Sequence, residues 1–390
     1  MKENILILHG GAPTAVINAS LYGVITAAKQ HPETGHIYGA RHGTGGLLRD
    51  DLIELERIGE ERLQKLPFTP GSAIGTSRDV LTAQEYARMA EVLEQRKIGC
   101  VLMTGGNGTM DACGKLFESC QKRGNGIRVI GIPKTIDNDL AVTDHSPGYG
   151  SAARFAAQSA KELSAEVASL PIHVSVFETL GRNVGWIAAA SSLARDGDGL
   201  DPDLIYFPER AFDEEVFLAD VERLSKEKPG IVVVVCEGLK NPDGESIVAP
   251  VFKDARWAYP GDVAAHLAAV IMRKLGCKAR SERPGILGRN AVALQSAADR
   301  EEAQLAGEEA FRAVIGGESG KMVSFHRVSD APYRIETRLT DLSEVMLTER
   351  PLPDAFINAE GNGVTQAFID WCRPLIGGAL TEMTLLHDNV

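Results

Sequence analysis

Short apolar runs recur along the chain, and each is followed by a turn rich in glycine or polar residues. Five such runs stand out, at residues 5–8, 100–103, 129–132, 174–177 and 231–235. Helix-like segments follow the first two, at residues 16–29 and 110–122. Near-continuous apolar strands that alternate with helices are typical of parallel sheets covered on both faces. The pattern therefore predicts an α/β fold, and the length of 390 residues favours two Rossmann-like parallel-sheet domains.

The composition argues against several classes of protein. The net charge is −12, whereas binding to nucleic acid or to a membrane surface needs broad basic patches. No apolar run approaches the roughly 20 residues that span a bilayer. The six cysteines form no C-x-x-C pair or zinc-spaced cluster, and the N-terminus shows no signal-peptide pattern. We therefore expect a cytoplasmic protein with reduced thiols, no nucleic-acid partner and no membrane association.

The polar turns fall at the carboxyl ends of the predicted strands, where α/β proteins bind their ligands. One turn consists of Gly105, Gly106, Asn107, Gly108 and Thr109. Glycines allow backbone N–H groups to approach an anion, and the N-terminus of the following helix favours negative charge. This turn predicts phosphate binding, and a tight turn without a ligand is the alternative.

A more specific signal lies at residues 133–139, which read PKTIDND. Two carboxylates and an amide directly after a buried strand are costly unless something binds them. Asp137 and Asp139 cannot both point at one partner from an extended loop, so we expect one to accept a proton and the other to hold a metal. Lys134 adds a positive charge suited to a migrating phosphoryl group.

The PKTIDND run resembles the P-x-T-I-D-N-D signature of phosphofructokinases. Further segments are similar to that family's loops in the same order: residues 9–20, 75–78, 143–150, 178–186, 237–238 and 356–377. The resemblance implies a donor-binding domain at residues 1–150, completed by part of 290–390, and an acceptor-binding domain at 151–289. It also implies a Mg²⁺-dependent, glycolytic phosphotransferase that forms a homodimer or homotetramer.

Carried over residue by residue, the resemblance implies that Asp137 deprotonates the attacking sugar hydroxyl. Lys134 and Thr135 would flank the transferring phosphoryl group, and Arg182 and Arg78 would neutralise charge on the donor. The implied donor-binding residues are Gly11, Arg78, Gly106, Asn107, Gly108 and Thr109. The implied acceptor-binding residues are Thr135, Asp137, Leu180, Gly181, Arg182, Glu237 and Arg289. The implied Mg²⁺ ligands are Asn107 and Asp139.

The family uses two phosphoryl donors, and Gly108 bears on which one is used here. In the family an aspartate at this position accompanies pyrophosphate, because it fills the space that an ATP α-phosphate needs. Lys134 occurs with both donors, so Gly108 favours ATP, with fructose 6-phosphate as the acceptor and fructose 1,6-bisphosphate as the product. Asn107 and the closing segment are more similar to the pyrophosphate-dependent branch, which is the alternative.

The acceptor pocket departs from the family pattern at three positions. Leu180 stands where the family has methionine, and Gly288 stands where it has glutamine. His173 stands where bacterial ATP-dependent enzymes carry an arginine for the 6-phosphate, and Arg280 and Arg283 are candidates to replace that charge. Fewer cations would weaken the grip on a phosphate dianion. A different sugar or sugar phosphate therefore remains an alternative acceptor.

A non-enzymatic alternative is a catalytically silent regulatory subunit or a sugar-phosphate sensor. Such proteins usually lose the base or the arginines. This chain keeps Asp137, Asp139, Arg78 and Arg182, which favours an active enzyme.

Overall fold

The computed structural model describes residues 2–170, 174–195, 199–253, 258–259, 261–346 and 348–386. The strands are β1 Glu3–His9, β2 Thr34–Ala40, β3 Leu52–Glu54, β4 Ile98–Gly105, β5 Arg128–Pro133, β6 Val174–Thr179, β7 Leu204–Tyr206, β8 Ile231–Cys236, β9 Phe252–Lys253, β10 Ala258–Tyr259, β11 Ala279–Glu282, β12 Lys321–Asp330 and β13 Tyr333–Asp341. The α-helices are α1 Ile17–Gln30, α2 Gly43–Leu48, α3 Glu60–Leu63, α4 Ala83–Gln95, α5 Asn107–Arg123, α6 Tyr149–Ser169, α7 Trp186–Ala190, α8 Glu214–Glu227, α9 Val263–Leu275, α10 Leu287–Asn290, α11 Ala297–Ile315, α12 Leu342–Val345 and α13 Gln366–Cys372. Single 3₁₀ turns lie at Leu55–Arg57, Leu66–Phe68, Ser191–Ala194, Val292–Leu294, Asp354–Phe356 and Arg373–Ile376.

The chain divides into two compact units, each built from two segments. The first unit comprises Met1–Ser151 and Arg289–Arg350. The second comprises Ala152–Gly288 and Pro351–Val390. Which substrate each unit binds stays a prediction.

The first unit is a seven-stranded sheet in the order β13-β12-β5-β4-β1-β2-β3. Its five central strands run parallel, and β3 and β13 pair antiparallel at the two edges. Alternate strand residues face opposite layers of helices. On one face α4 and α5 cover Leu6, Leu8, Val101 and Met103. On the other face α1 and α11 cover Ile5, Ile7, Cys100 and Leu102.

Helices α1 and α11 cross at a pair of glycines. A Cβ at Gly23 would lie 3.0 Å from the carbonyl carbon of Gln304, and a Cβ at Gly307 would lie 3.0 Å from that of Ser20. Because glycine has no side chain, the two helix backbones approach each other closely at these positions. This contact packs α11 against α1 on the face of the sheet that both helices cover.

The second unit contains a four-stranded sheet in the order β11-β6-β8-β7, parallel throughout. Helices α8 and α9 bury Phe217, Val221 and Leu267 against strand residues such as Val176 and Val233. Strands β9 and β10 pair antiparallel with each other in a separate two-stranded sheet. The predicted α/β fold with two parallel-sheet domains is confirmed.

Aromatic side chains from three segments meet in the second unit. Trp186 lies on α7, and its ring centroid is 5.0 Å from that of Trp371 and 6.0 Å from that of Phe356. Phe368 lies 5.6 Å from Phe356 on another side. This cluster fixes the start of α7 against the closing segment of the chain.

Among the described residues, no helix combines the length and the apolar character that crossing a membrane requires.

Candidate active site

Three neighbouring strands of the first unit, β5, β4 and β1, end at one edge of the sheet, and each leads into a predicted ligand loop. Main-chain hydrogen bonds tie the loops together, since Gly10 N–H donates to Thr104 O at 2.9 Å and Lys134 N–H donates to Gly105 O at 3.0 Å. The Lys134 ammonium donates to Ala12 O at 2.6 Å. The structure therefore brings the three loops together.

The loop after β4 is shaped by its glycines. Gly106 is the N-cap residue of α5. A Cβ at Gly105 would lie 2.6 Å from Cγ2 of the buried Thr109, and a Cβ at Gly10 would lie 3.0 Å from the same atom. Thr109 thus packs over two strand ends, and its predicted contact with the donor stays a prediction. At Gly108, by contrast, a Cβ would find no atom of the described residues within 4 Å.

The loop after β1 is held beside the loop that carries Arg78. Gly11 has φ of +76°, its N–H donates to Ser77 O at 2.9 Å, and its carbonyl accepts from Thr76 Oγ1 at 2.8 Å. A Cβ at Gly11 would lie 3.5 Å from the Nζ of Lys134. The exposed Arg78 follows Ser77 directly, so the structure places it next to the loop after β1.

Lys134 is the electrostatic centre of this edge, with only 3% of its surface exposed. Burial lowers the pKa of its ammonium to about 8, and the positive charges of Arg78 and Arg289 act in the same direction. The carboxylates of Asp137 and Asp139 oppose the shift. All four charged groups therefore lie within electrostatic reach of Lys134. Arg289, predicted to bind the acceptor, belongs to the first unit.

Asn107 and Asp139, the predicted Mg²⁺ ligands, contact each other directly. Asn107 Nδ2 donates to Asp139 Oδ2 at 2.8 Å. The amide oxygen of Asn107 and the second carboxylate oxygen of Asp139, both Oδ1, are buried and have no hydrogen-bond partner within the described part of the chain. Oxygen ligands suit Mg²⁺, which commonly takes one or two carboxylates and completes its shell with water and substrate phosphates. The two residues therefore fit a Mg²⁺ ion.

Asp137 and Thr135 hold each other in place on the PKTIDND loop. The half-buried Asp137 donates its backbone N–H to Thr135 Oγ1 at 3.1 Å. Thr135 donates its own N–H to Pro147 O at 3.1 Å and forms an isolated bridge with Gly148. The Thr135 hydroxyl accepts the hydrogen bond from Asp137 N–H with one lone pair, so its own proton can still be donated to another group.

His9, at the end of β1, is a buried residue that the sequence analysis did not assign to the site. Its Nδ1 lies 2.8 Å from Ser72 Oγ. Burial, reinforced by the charge of Lys134, lowers the pKa of its imidazole to about 3. His9 is therefore neutral at physiological pH.

A buried charge network, also missed from sequence, lies on the segment that follows the PKTIDND loop. His145 Nδ1 lies 2.8 Å from Asp144 Oδ2, and its Nε2 lies 2.7 Å from Glu302 Oε2. Burial disfavours the imidazolium, but Glu302 and Asp144 raise its pKa to about 9. Arg327 donates to Asp144, and the Tyr333 hydroxyl donates to Glu302 at 2.6 Å. The imidazolium thus links two carboxylates at neutral pH.

In the second unit, the loop after β6 is fastened over the end of β8. Gly181 has φ of +146° and Arg182 has φ of +51°, and Arg182 N–H donates to Glu237 Oε1 at 3.3 Å. A Cβ at Gly238 would lie 2.5 Å from the carbonyl carbon of Arg182. The Cys236 thiol lies 3.7 Å from the Arg182 carbonyl oxygen. The structure thus brings the predicted acceptor residues Gly181, Arg182 and Glu237 together.

The other predicted acceptor positions have varied surroundings. Leu180 follows β6 directly and is half-buried. Arg283 pairs with the buried carboxylate of Glu178 at 2.7 Å, and Arg280 is exposed on β11. His173 lies outside the described residues. The positive charge of Arg283 is therefore partly neutralised by Glu178.

Comparison with known sequence families matches residues 4–314 to the family described as Phosphofructokinase. A curated relative from Rhodospirillum rubrum, named pyrophosphate–fructose 6-phosphate 1-phosphotransferase, is 34% identical over 398 residues, which include 100% of this chain and 98% of the relative. The sulfofructose kinase of Alkalicoccus urumqiensis is 33% identical over 95% of each chain. The crystal structure of a pyrophosphate-dependent phosphofructokinase from Nitrosospira multiformis has a TM-score of 0.89 and 35% identity, and covers 100% of this chain and 95% of its own.

The match extends well beyond the PKTIDND loop, because these similarities run from one end of the chain to the other. The Rhodospirillum rubrum relative is named for the transfer of a phosphoryl group to fructose 6-phosphate, and the charges around Lys134 suit a phosphoryl-transfer reaction. This phosphotransferase therefore belongs to the phosphofructokinase family.

Proposed function

We propose that the enzyme transfers a phosphoryl group, with Mg²⁺, from pyrophosphate to the 1-hydroxyl of fructose 6-phosphate. The products are fructose 1,6-bisphosphate and phosphate, which would place the reaction in glycolysis. The observation that carries the proposal is a carboxylate and a buried ammonium on one loop, Asp137 and Lys134, beside the hydrogen-bonded side chains of Asn107 and Asp139.

In this proposal Asp137 is the general base. Its carboxylate accepts the proton of the sugar hydroxyl as the hydroxyl oxygen attacks phosphorus, and the bond from phosphorus to the leaving phosphate breaks. Thr135 fixes the backbone beside the base through the hydrogen bond from Asp137 N–H. Lys134 places positive charge next to the transferring group, and its burial strengthens that interaction because little water screens it.

Mg²⁺ would be held through the buried Oδ1 atoms of Asn107 and Asp139, and when bound it neutralises charge on the donor phosphates. The Asn107 amide holds Asp139 Oδ2 through a hydrogen bond, which leaves Oδ1 available to the ion. Arg78 adds a further positive charge for the donor.

In the second unit we propose that Arg182 neutralises negative charge on the donor phosphates during transfer. Glu237 is proposed to bind the acceptor sugar. The Arg182 backbone is fixed by its bond to Glu237 and by its packing on Gly238. A carboxylate accepts hydrogen bonds readily, so Glu237 suits the hydroxyl groups of a sugar.

Pyrophosphate is proposed as the donor because similar proteins carry it in their names. The Rhodospirillum rubrum relative and the Nitrosospira multiformis structure are both described as pyrophosphate-dependent. Gly108 favoured ATP as the donor, but these similarities better support pyrophosphate, which was the alternative.

ATP remains the second candidate on one structural observation. A side chain at Gly108 would meet no described atom within 4 Å, so the first turn of α5 has room for a larger donor.

The donor is tested by assaying the purified enzyme with Mg-pyrophosphate and Mg-ATP in parallel and measuring fructose 1,6-bisphosphate. We expect kcat/KM with pyrophosphate to exceed that with ATP by about 100-fold or more. Activity with ATP and none with pyrophosphate would refute pyrophosphate as the donor and support ATP.

Gly108→Asp provides a second measurement of the donor. A pyrophosphate-dependent enzyme is expected to keep its activity, whereas an ATP-dependent one would lose it because the carboxylate fills the open space. Gly108→Ala is the matched control, since it adds a Cβ without charge.

A sulfonated sugar is the alternative acceptor. It is favoured by the 33% identity to the sulfofructose kinase and by the engagement of Arg283 with Glu178, since a sulfonate monoanion needs fewer cations than a phosphate dianion. Parallel assays with fructose 6-phosphate, sulfofructose and fructose decide the question. A higher kcat/KM for sulfofructose would overturn the proposed acceptor.

We also propose a cytoplasmic homodimer or homotetramer. Size-exclusion chromatography with light scattering measures the assembly, and a monomer at the working concentration would contradict it.

A further inference from the structure

Arg350, the last residue of the first unit, contacts the loop that carries the proposed base. Its Nη1 donates to Thr143 O at 2.6 Å and to Asp144 O at 2.7 Å. Its Nε and Nη2 donate to Asn138 O at 3.3 and 3.1 Å. Its backbone N–H donates to Asp139 O at 2.8 Å. One side chain therefore joins carbonyl groups at both ends of residues 138–144.

We call residues 137–144 the carboxylate loop. Within it Asn138 has φ of +56° and Val142 has φ of +55°. Asparagine tolerates this left-handed conformation, whereas a β-branched residue rarely adopts it because its side chain is strained there. Val142 is also exposed, so little packing holds it there. The loop therefore needs other contacts to keep its conformation.

Arg350 donates hydrogen bonds to the carbonyl groups of Asn138 and Asp139, which lie next to the carboxylates of Asp137 and Asp139 in the chain. Asn138 lies between Asp137 and Asp139, so orienting its peptide group orients both neighbours. Asn138 is fully buried, and its Oδ1 accepts from Ser146 N–H at 3.0 Å, which fixes it from the other side. An isolated antiparallel bridge between Glu349 and Leu140 adds a main-chain contact next to Arg350.

The guanidinium is suited to this task and is occupied by it. Burial lowers its pKa to about 10, so it stays positively charged at neutral pH. A guanidinium has five N–H donors in a rigid plane, and four carbonyl contacts use most of them. A lysine could not reproduce this planar pattern.

We propose that Arg350 is a positioning residue, which sets the orientation of Asp137 and Asp139 through the peptide groups of the carboxylate loop and does not touch substrate. The proposal rests on the proposed function, in which these carboxylates act as base and metal ligand. Its consequence is that losing the guanidinium weakens both turnover and metal binding, while substrate affinity changes little.

The test compares Arg350→Lys and Arg350→Met with the intact enzyme. We expect kcat to fall about 10- to 100-fold, which is typical when the partner of a metal ligand is lost. KM for fructose 6-phosphate is expected to change by less than about threefold, because Asp137 acts as the base mainly in the transition state and the other acceptor residues, such as Glu237, keep their positions. The matched control is Arg338→Lys, an exposed position on β13, which is expected to leave both constants unchanged.

Binding of Mn²⁺ to the substrate-free protein, measured by electron paramagnetic resonance, supplies a readout that does not depend on turnover. We expect the Arg350 variants to bind Mn²⁺ about 10- to 100-fold more weakly, and Asp139→Asn serves as the reference for a lost ligand. Millimolar guanidinium is expected to restore part of the turnover of Arg350→Ala, whereas equimolar urea, which is neutral, is not.

Unchanged kcat and Mn²⁺ affinity in folded Arg350→Met would overturn the proposal. Should that variant fail to fold, Arg350→Lys carries the same comparison, because it keeps the charge. An intact enzyme without phosphotransferase activity would instead refute the proposed function, and the Mn²⁺ measurements would still decide the role of Arg350.

Discussion

Replacing Gly238 by alanine is expected to displace the proposed catalytic Arg182 through a clash with its backbone, while its side chain stays chemically unchanged. The added Cβ would lie 2.5 Å from the carbonyl carbon of Arg182 and closer still to its oxygen. Ordinary contact requires at least 3.4 Å. The backbone at Arg182 must therefore move by at least about 1 Å, and its carbonyl oxygen by more, since the neighbour is a peptide group and not a flexible side chain.

The size of the effect follows from this displacement. Arg182 already has φ of +51°, so its backbone has few other conformations available. A misplacement of about 1 Å in a reacting geometry can cost about 100-fold in rate, which corresponds to about 2.7 kcal/mol in the activation free energy. The clash itself is expected to lower the free energy of unfolding by about 1–3 kcal/mol, which leaves an ordinary domain folded.

Steady-state kinetics with the preferred donor, together with urea unfolding, measures both quantities. Gly59→Ala is the matched control, because a Cβ there meets no described atom within 4 Å. A folded Gly238→Ala enzyme with unchanged kcat and KM would refute the argument that packing on residue 238 sets Arg182.

Two pH dependences follow from the first unit. The lowered pKa of Lys134, about 8, means that its ammonium loses its proton as the pH rises through 8, so kcat/KM is expected to fall on that alkaline side. In Lys134→Arg this limb is expected to move above about pH 10, and an unmoved limb would assign it to another group. For His145 the folded pKa, about 9, lies above its ordinary 6.5, so its contribution to stability is complete below 6.5 and is lost as the pH rises through 9. Urea unfolding at about pH 6 and about pH 9.5 is expected to show a larger loss of stability in the intact protein than in His145→Gln, and equal losses would contradict the assignment.

The parts of the fold that were predictable from sequence are those with local patterns. Apolar runs such as residues 129–132 identified buried parallel strands, because a strand covered on both faces is apolar at every position. The turns after those strands were predictable as one cluster because the carboxyl ends of neighbouring parallel strands meet at the same edge of a sheet. The family resemblance then named residues within each turn.

The contacts that were missed join residues far apart in sequence. His145 meets Glu302 across 157 positions, and Arg350 meets Asn138 across 212. No periodicity or spacing relates such residues, since their approach depends on how the strands are ordered in the sheet. The Gly23 and Gly307 crossing was equally hidden, because a glycine within a helix carries no mark of what packs on it.

The aromatic cluster of the second unit gives the enzyme a built-in optical probe. Trp186 follows Arg182 by four residues, its ring centroid lies 5.0 Å from that of Trp371, and the chain has three tryptophans in all. Indole emission depends on the polarity and ring neighbours around it, so a shift of the Arg182 loop would change the emission without any attached dye. Titrating sugars or donors while recording this signal would report occupancy at the loop directly, even for compounds that are never turned over.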